Sequence, residues 1–343
     1  MIRLPAFEYL TPRTVGDAVK YLSDRGADAM LVAGGTDLFP NMKRRQFEPK
    51  VLVGLRGLRE LRGVRVTKGG LTIGAGTTLT QVATHADVAR RYPALATAAG
   101  LVSSPQLRNM GTLGGNVCVD TRCNYYNQTF EWRRAIGFCM KKDGDICLVA
   151  PGSPRCWAVS SSDTAPVLWA LGATARLAGP GGERTVPVSA LFRDDGIEYL
   201  AKRPDEILTE ISLPDADGWS AVYLKLRRRG SFDFPVLGVA VAVRRDHDVV
   251  RAARIVLGAV ASQPREATAA AAALVGGPLT PDAITRAAEL AAGPAKPLDN
   301  TDFTHPYRKK VTRVYVARAL ARLAGLDTGP ASYEAGGSDA VAR

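Results

Sequence analysis

Cysteine and histidine are scarce in this sequence. Of 343 residues, five are cysteine and three are histidine. All five cysteines fall between Cys118 and Cys156, and the rest of the chain has none. Thiols used as packing residues would be scattered, so this one segment has a need for them. Histidine is confined to His85, His247 and His305, and no nucleophile–His–Asp arrangement or pair of catalytic carboxylates can be assembled from the pattern. No run approaches the roughly 18 apolar residues of a membrane-crossing helix. The opening MIRLPAFEYLTP lacks the apolar stretch of a secretion signal. A soluble cytoplasmic protein is expected, which argues against a disulfide framework. Also missing are the G-x-G-x-x-G dinucleotide fingerprint, the GKS or GKT of a phosphate-binding loop, and any internal repeat.

What is present is a large apolar fraction and a basic surface. With 46% hydrophobic residues the chain can bury a sizeable core, and its length suits two or three domains. Lys and Arg number 45 against 33 Asp and Glu, a net charge of +12. That balance suits an acidic partner or nucleic acid, although much of it is arginine in an Ala- and Gly-rich chain.

In chain order, residues 1–57 read as a small α/β unit. Thr14 caps a helix bearing Val15, Ala18, Val19 and Leu22, and the strand AMLVA (29–33) runs into Gly34-Gly35-Thr36-Asp37-Leu38. Residues 58–217 form a second unit with a hairpin at Gly69-Gly70, a helix capped by Thr78, an apolar helix from 93, and a second glycine-rich turn, Arg108 to Asn116. The cysteine segment, 118–158, is an insertion in this unit, after which Asp163 opens another helix. Beyond the turn-rich DADG (215–218), residues 218–325 show long strands followed by Ala-rich helices, an α+β order. The tail, 326–343, is small and polar, and is expected to be flexible.

Adjacent glycines after an apolar strand permit positive φ and let backbone N–H groups approach a phosphate. One such turn is equally well a plain tight turn, but two say more together. Cys123, Cys139, Cys147 and Cys156 are separated by 16, 8 and 9 positions. An iron–sulfur cluster, a structural zinc and unligated thiols all stay open on spacing alone. Zinc is disfavoured because its ligands usually come as close C-x-x-C pairs, and the only short interval is Cys118–Cys123.

Taken together, LVAGGTDL (31–38), RNMGTLGGN (108–116), Asp163 before an apolar helix and Lys225 in YLKLRRRGSFDF resemble the FAD-binding subunits of the xanthine dehydrogenase/molybdenum hydroxylase family, over roughly residues 1–325. The resemblance implies an α+β chain: a two-subdomain FAD-binding fold with a C-terminal α+β domain. It implies FAD contacts at Leu31, Val32, Ala33, Gly34, Gly35, Thr36, Asp37, Leu38, Thr77, Met110, Gly111, Thr112, Gly114, Gly115, Asn116, Asp163 and Lys225. The flavin would be held non-covalently, since none of the three histidines lies in a glycine loop. The segment CNYYNQTFEWRRAIGFCMKKDGDIC…RC is similar to the 4-hydroxybenzoyl-CoA reductase branch of that family, whose loop carries a [4Fe–4S] cluster. On that resemblance Cys123, Cys139, Cys147 and Cys156 are the cluster ligands, and Cys118 is a small buried hydrophobe beside the flavin loop.

The same resemblance implies partners and a route. A large molybdenum-cofactor subunit and a small [2Fe–2S] subunit would complete a dimer of heterotrimers, with neither nucleic acid nor membrane as a partner. Reduced ferredoxin would feed the [4Fe–4S] cluster, then FAD, the [2Fe–2S] clusters and molybdenum, for reductive dehydroxylation of 4-hydroxybenzoyl-CoA. The alternative is a relative that oxidises a heterocycle or an aldehyde. The aromatics Tyr125, Tyr126, Phe130, Trp132, Phe138 and Trp157 are expected to shield the cluster. Arg133, Arg134, Lys141 and Lys142 form either a docking face for ferredoxin or an ordinary solvated face.

Overall fold

The computed structural model describes residues 3–326. The first unit is a three-stranded parallel sheet, β1 (Glu8–Leu10), β2 (Ala29–Val32) and β3 (Val51–Gly54), with the fully buried β3 in the centre. Helix α1 (Val15–Arg25) precedes β2. Thr14 and Asp17 form a reciprocal capping box, and Ala18, Val19 and Leu22 turn inward, as the 3.6-residue period requires. Beyond β2 the chain passes through the first glycine loop into the short helix α2 (Leu38–Lys43).

The second unit is a five-stranded antiparallel sheet in the order β4-β5-β8-β6-β7. Its first hairpin joins β4 (Val64–Thr67) to β5 (Gly70–Gly74). Helices α3 (Leu79–Thr84), α4 (Ala86–Arg91) and α5 (Pro93–Gly100) follow. The expected single helix after Thr78 is two: Thr78 caps α3 with Gln81, and His85 ends it and caps α4 with its own ring nitrogen. Then come α6 (Pro105–Arg108), α7 (Leu113–Val117), α8 (Phe130–Ala135) within the cysteine segment, and α9 (Thr164–Ala170). Strands β6 (Thr174–Gly179), β7 (Gly182–Pro187) and β8 (Ile207–Pro214) complete the sheet.

The third unit is an antiparallel sheet of β9 (Trp219–Leu226), β10 (Leu237–Asp246), β11 (Val249–Gly258) and β12 (Arg265–Glu266), backed by α10 (Thr268–Ala272), α11 (Pro281–Ala291) and α12 (His305–Leu323). Successive side chains of a strand face opposite ways, and here both faces are used. Leu224, Val239, Val241 and Ile255 pack on α10–α12. Tyr223, Ala240, Ala242 and Val256 join Leu95, Leu113, Leu168 and Ile211 in the core of the second unit. The third sheet is therefore a wall shared by two cores, and α9 lies against it. The expected tail lies outside the described residues from 327 onward.

Candidate cofactor sites

The two glycine loops abut. A Cβ on Gly34 would stand 2.1 Å from the Met110 carbonyl oxygen, and one on Gly111 would stand 3.5 Å from Thr36 Oγ1. Glycine at 34 is what lets the backbones meet. Among the described residues, the backbone N–H groups of Gly34, Gly35, Thr36 and Asp37 donate to no protein acceptor. A row of unspent N–H groups at the joint of two loops fits the pyrophosphate of FAD. The other glycines answer to the protein itself. Gly35 has φ +69° and its Cβ would strike the Phe39 ring, while a Cβ on Gly114 would lie 2.7 Å from Ala75 Cβ. Leu31 and Val32 belong to β2, with Val32 buried against Met42 and Leu52.

Thr77, Thr112 and Asn116 build the second loop rather than present free groups. The Thr77 hydroxyl is shared with the Gly63 backbone, and its carbonyl accepts from Leu113 N. Thr112 caps α7 through Gly115 N. Asn116 Oδ1 accepts from Ser162 Oγ and from both Thr164 N and Oγ1. With Ser162 Oγ accepting from Ala165 N, these groups cap α9. Asp163 is thereby released from the capping role that its position suggests. Its carboxylate turns inward to Lys225 Nζ at 3.0 Å and Tyr223 Oη at 2.8 Å. Burial pushes this carboxyl up, against the opposing pull of Lys225. Lys225 Nζ also donates to the carbonyls of Leu101 and Asp233, at 3.1 Å each. Its three N–H bonds are spent inside the protein, tying α5, α9, β9 and the 227–235 loop into one node.

Cys123, Cys139, Cys147 and Cys156 are all buried, unpaired by disulfides, and line one small pocket with Tyr125, Tyr126, Met140 and Lys141. Among the described residues no three His, Cys, Asp or Glu side chains form a group that could hold a metal ion; the four thiols share the lining of one pocket. Burial pushes the Cys123 thiol up to about 12 and the Cys156 thiol up to about 11. Backbone N–H groups of Tyr125 and Tyr126 on Cys123, and of Ala158 on Cys156, oppose the rise. Buried thiols of this kind become thiolates only when a cation compensates them. Gly196 is part of the site: a Cβ there would lie 2.6 Å from Cys156 Sγ. Cys118 stands apart, packed beside the main core, with burial raising its thiol too. Of the expected aromatic shell, Tyr125 and Tyr126 line the pocket, whereas Trp132 is 40% exposed and Trp157 lies under the Arg155 guanidinium.

Two of the four basic residues expected on a docking face are not on the surface. Arg133 is 1% exposed and donates to the carbonyls of Arg44 and Arg45 at 2.8 and 3.1 Å. Lys141 Nζ is enclosed by Asp120 Oδ1 at 2.8 Å, Thr121 Oγ1 at 2.7 Å and the Gly196 carbonyl, over the Tyr126 ring. Burying a charge is costly unless it is paired, and the sequence offered no sign of these partners. Arg122 is likewise buried: its guanidinium meets the Asp37 carboxylate of the first glycine loop and lies 4.3 Å from the Phe234 ring centroid. Its only cue in the sequence is its place next to Cys123.

Residues 5–216 match the FAD binding domain in molybdopterin dehydrogenase, and residues 221–323 match the CO dehydrogenase flavoprotein C-terminal domain. The chain belongs to the FAD-binding subunits of the molybdenum hydroxylase family. It is 31% identical over 317 residues to the carbon monoxide dehydrogenase medium chain of Hydrogenophaga pseudoflava, covering 92% of this chain and 96% of that one. It is also 31% identical over 279 residues to the nicotinate dehydrogenase FAD-subunit of Eubacterium barkeri, covering 80% and 81%. Among solved structures, reconstituted CO dehydrogenase from Oligotropha carboxidovorans aligns with a TM-score of 0.78 at 29% identity, covering 95% of this chain and all of that one. The fold is thus an FAD-binding domain followed by the family's flavoprotein C-terminal domain, and the cofactor of the first of these domains is FAD.

Proposed function

We propose that this chain is an electron-relay subunit of a molybdenum hydroxylase-type oxidoreductase, with FAD at the joint of the glycine loops and a [4Fe–4S] cluster on Cys123, Cys139, Cys147 and Cys156. The observation that carries the cluster is that four buried thiols line one pocket. Their long spacing in the sequence is unlike the close cysteine pairs of a zinc site. When bound, FAD exchanges one or two electrons and an iron–sulfur cluster exchanges one, so the pair couples single-electron to two-electron chemistry. The protein's part is to hold, shield and tune. Tyr125, Tyr126 and Leu148 keep water from the thiol pocket. Lys141 places a paired positive charge beside Cys156. The unspent N–H groups at 34–37 await the diphosphate.

The substrate would sit on a separate molybdenum subunit, with a small [2Fe–2S] subunit between, in a dimer of heterotrimers. The relatives' names support oxidation of a small molecule such as a heterocycle or an aldehyde. The cysteine segment favours a second reading, dehydroxylation of 4-hydroxybenzoyl-CoA with electrons entering from ferredoxin. Iron, acid-labile sulfide and flavin analysis of the purified protein should give about four iron, about four sulfide and one FAD per chain. Stoichiometric zinc without sulfide would sink the cluster. To separate the substrate readings, nicotinate-type heterocycles and aldehydes are added anaerobically to the purified complex. Bleaching of the flavin supports oxidation. No bleaching, with reoxidation of the reduced complex by 4-hydroxybenzoyl-CoA, moves the assignment to the second reading.

A further inference from the structure

The geometry points to Arg122 as a diphosphate-binding residue that the cysteine segment lends to the FAD site. This rests on the reading of the glycine loops as an FAD cradle and of the neighbouring thiols as cluster ligands.

Arg122 immediately precedes Cys123, and its main chain is fixed by a reciprocal pair of hydrogen bonds with Val159, at 2.8 and 2.7 Å. This pairing with Val159 anchors the backbone from which the side chain leaves. That side chain crosses to the first glycine loop, where Nη2 meets Asp37 Oδ1 and Nη1 lies 3.4 Å from Asn41 Oδ1 on α2. The side chain is only 9% exposed, yet Nε is buried without any hydrogen-bond partner. An arginine guanidinium carries its charge at neutral pH. A charged donor without a partner is costly in a protein interior, and a site built this way is completed by an anion. The anion is at hand in the proposed function. Asp37, the residue that orients the guanidinium, is the last of the four whose backbone N–H groups are unspent. A planar guanidinium offers five N–H donors in a fixed fork, which suits phosphate oxygens better than an ammonium does. Asp37 and Asn41 take two of the five, and Phe234 covers the face of the plane. Arg122 thus joins the two centres through the protein: its backbone sets Cys123 and its side chain reaches the FAD loop.

The test uses the full-length holoprotein, with Arg122→Gln and Arg122→Lys. FAD affinity is read by flavin fluorescence on titration, and the iron and sulfide content reports whether the cysteine segment is intact. A lost charge-assisted contact is expected to weaken FAD binding roughly 10- to 100-fold in Arg122→Gln. Iron should stay at the parental level, and Arg122→Lys should recover part of the affinity by restoring the charge without the fork. Parental FAD affinity in Arg122→Gln overturns the proposal. So does a joint loss of iron and FAD in Arg122→Gln with full recovery of both in Arg122→Lys, which would make the residue a strut between segments. A parent protein that binds no FAD overturns the function itself, and is told apart because it shows before any substitution is made.

Discussion

At the scale of single residues, glycines 34 and 114 are constrained by the protein rather than directly by the ligand. Gly34→Ala puts a methyl 2.1 Å from the Met110 carbonyl, so the two loops must part. Gly34→Ala is expected to weaken FAD by an order of magnitude or more and to leave the iron content unchanged. Equilibrium dialysis with metal analysis would show this, and a variant that kept parental FAD affinity would place the cradle elsewhere. Lys141 carries a different cost. Lys141→Met leaves the Asp120 carboxylate buried without its cation, with only the Thr121 N–H still donating to Oδ1, at about 3–5 kcal/mol. The double variant Asp120→Asn/Lys141→Met should recover part of that stability, because the charge and its partner leave together. Thermal unfolding of the four proteins decides it, and simple additivity would mean that the ion pair has no energetic coupling. Residue types and spacing singled out the two glycine loops that the fold brings together and the four cysteines that line one pocket. They did not show that Arg133 and Lys141 are buried, because burial of a charge depends on acceptors such as the carbonyls of Arg44 and Gly196 that folding brings from far along the chain.

At the scale of elements, much was legible wherever local chemistry decides. The Thr14 and Thr78 capping boxes, the Gly69-Gly70 hairpin and the long apolar strands of the third sheet all follow from neighbouring residues. The start of α9 was legible in position but not in mechanism. Asp163 looks like its cap, whereas Ser162 and Asn116 do the capping and Asp163 faces Lys225, a partner 62 positions away. Another long-range tie predicts a pH response. Glu206, just before β8, is 1% exposed and holds Arg184 of the edge strand β7 by two bonds, at 2.6 and 2.8 Å. The Arg184 hydrogen bonds take its carboxyl from 4.5 down to about 2. A carboxylate whose pKa is lowered by folding gives its stabilisation in full above the unfolded value and loses it as pH falls through the folded one. The parent should therefore lose stability between about pH 4.5 and pH 2, beyond the general acid effect. In Glu206→Gln that part of the acid limb should be flatter, from a lower starting point. Parallel melting curves in the two proteins would show that the pair does not control the acid limb.

At the scale of the whole molecule, charge and architecture meet on one face. The net charge of +12 names no site by itself. The fold withdraws Arg133 and Lys141 from the surface, and Lys142 pairs with Asp143 at 3.1 Å. Arg134 remains exposed beside them. A further cationic surface replaces those residues: Arg3, Lys43, Arg44 and Arg45 line a cavity of about 460 Å³ with Glu48, Thr129, Phe130 and Glu131. Its walls are the C-terminal end of α2, which starts at the first glycine loop, and the start of α8, inside the cysteine segment. An acidic protein docked there stands beside both proposed centres, and opposite charge raises the encounter rate at low ionic strength. On the reading in which ferredoxin supplies the electrons, Lys43→Glu/Arg44→Glu/Arg134→Glu is expected to slow flavin reduction by a ferredoxin roughly 10-fold or more at low salt. The defect should shrink as salt rises and the Debye length falls, and a small uncharged reductant should act at the parental rate. Net charge alone is controlled by Lys309→Glu/Lys310→Glu/Arg313→Glu, the same change placed on exposed positions of α12. If both triple variants slow the reaction equally, the effect belongs to the overall charge. A cavity variant that accepts ferredoxin electrons at the parental rate in dilute buffer would show that the carrier enters by another face.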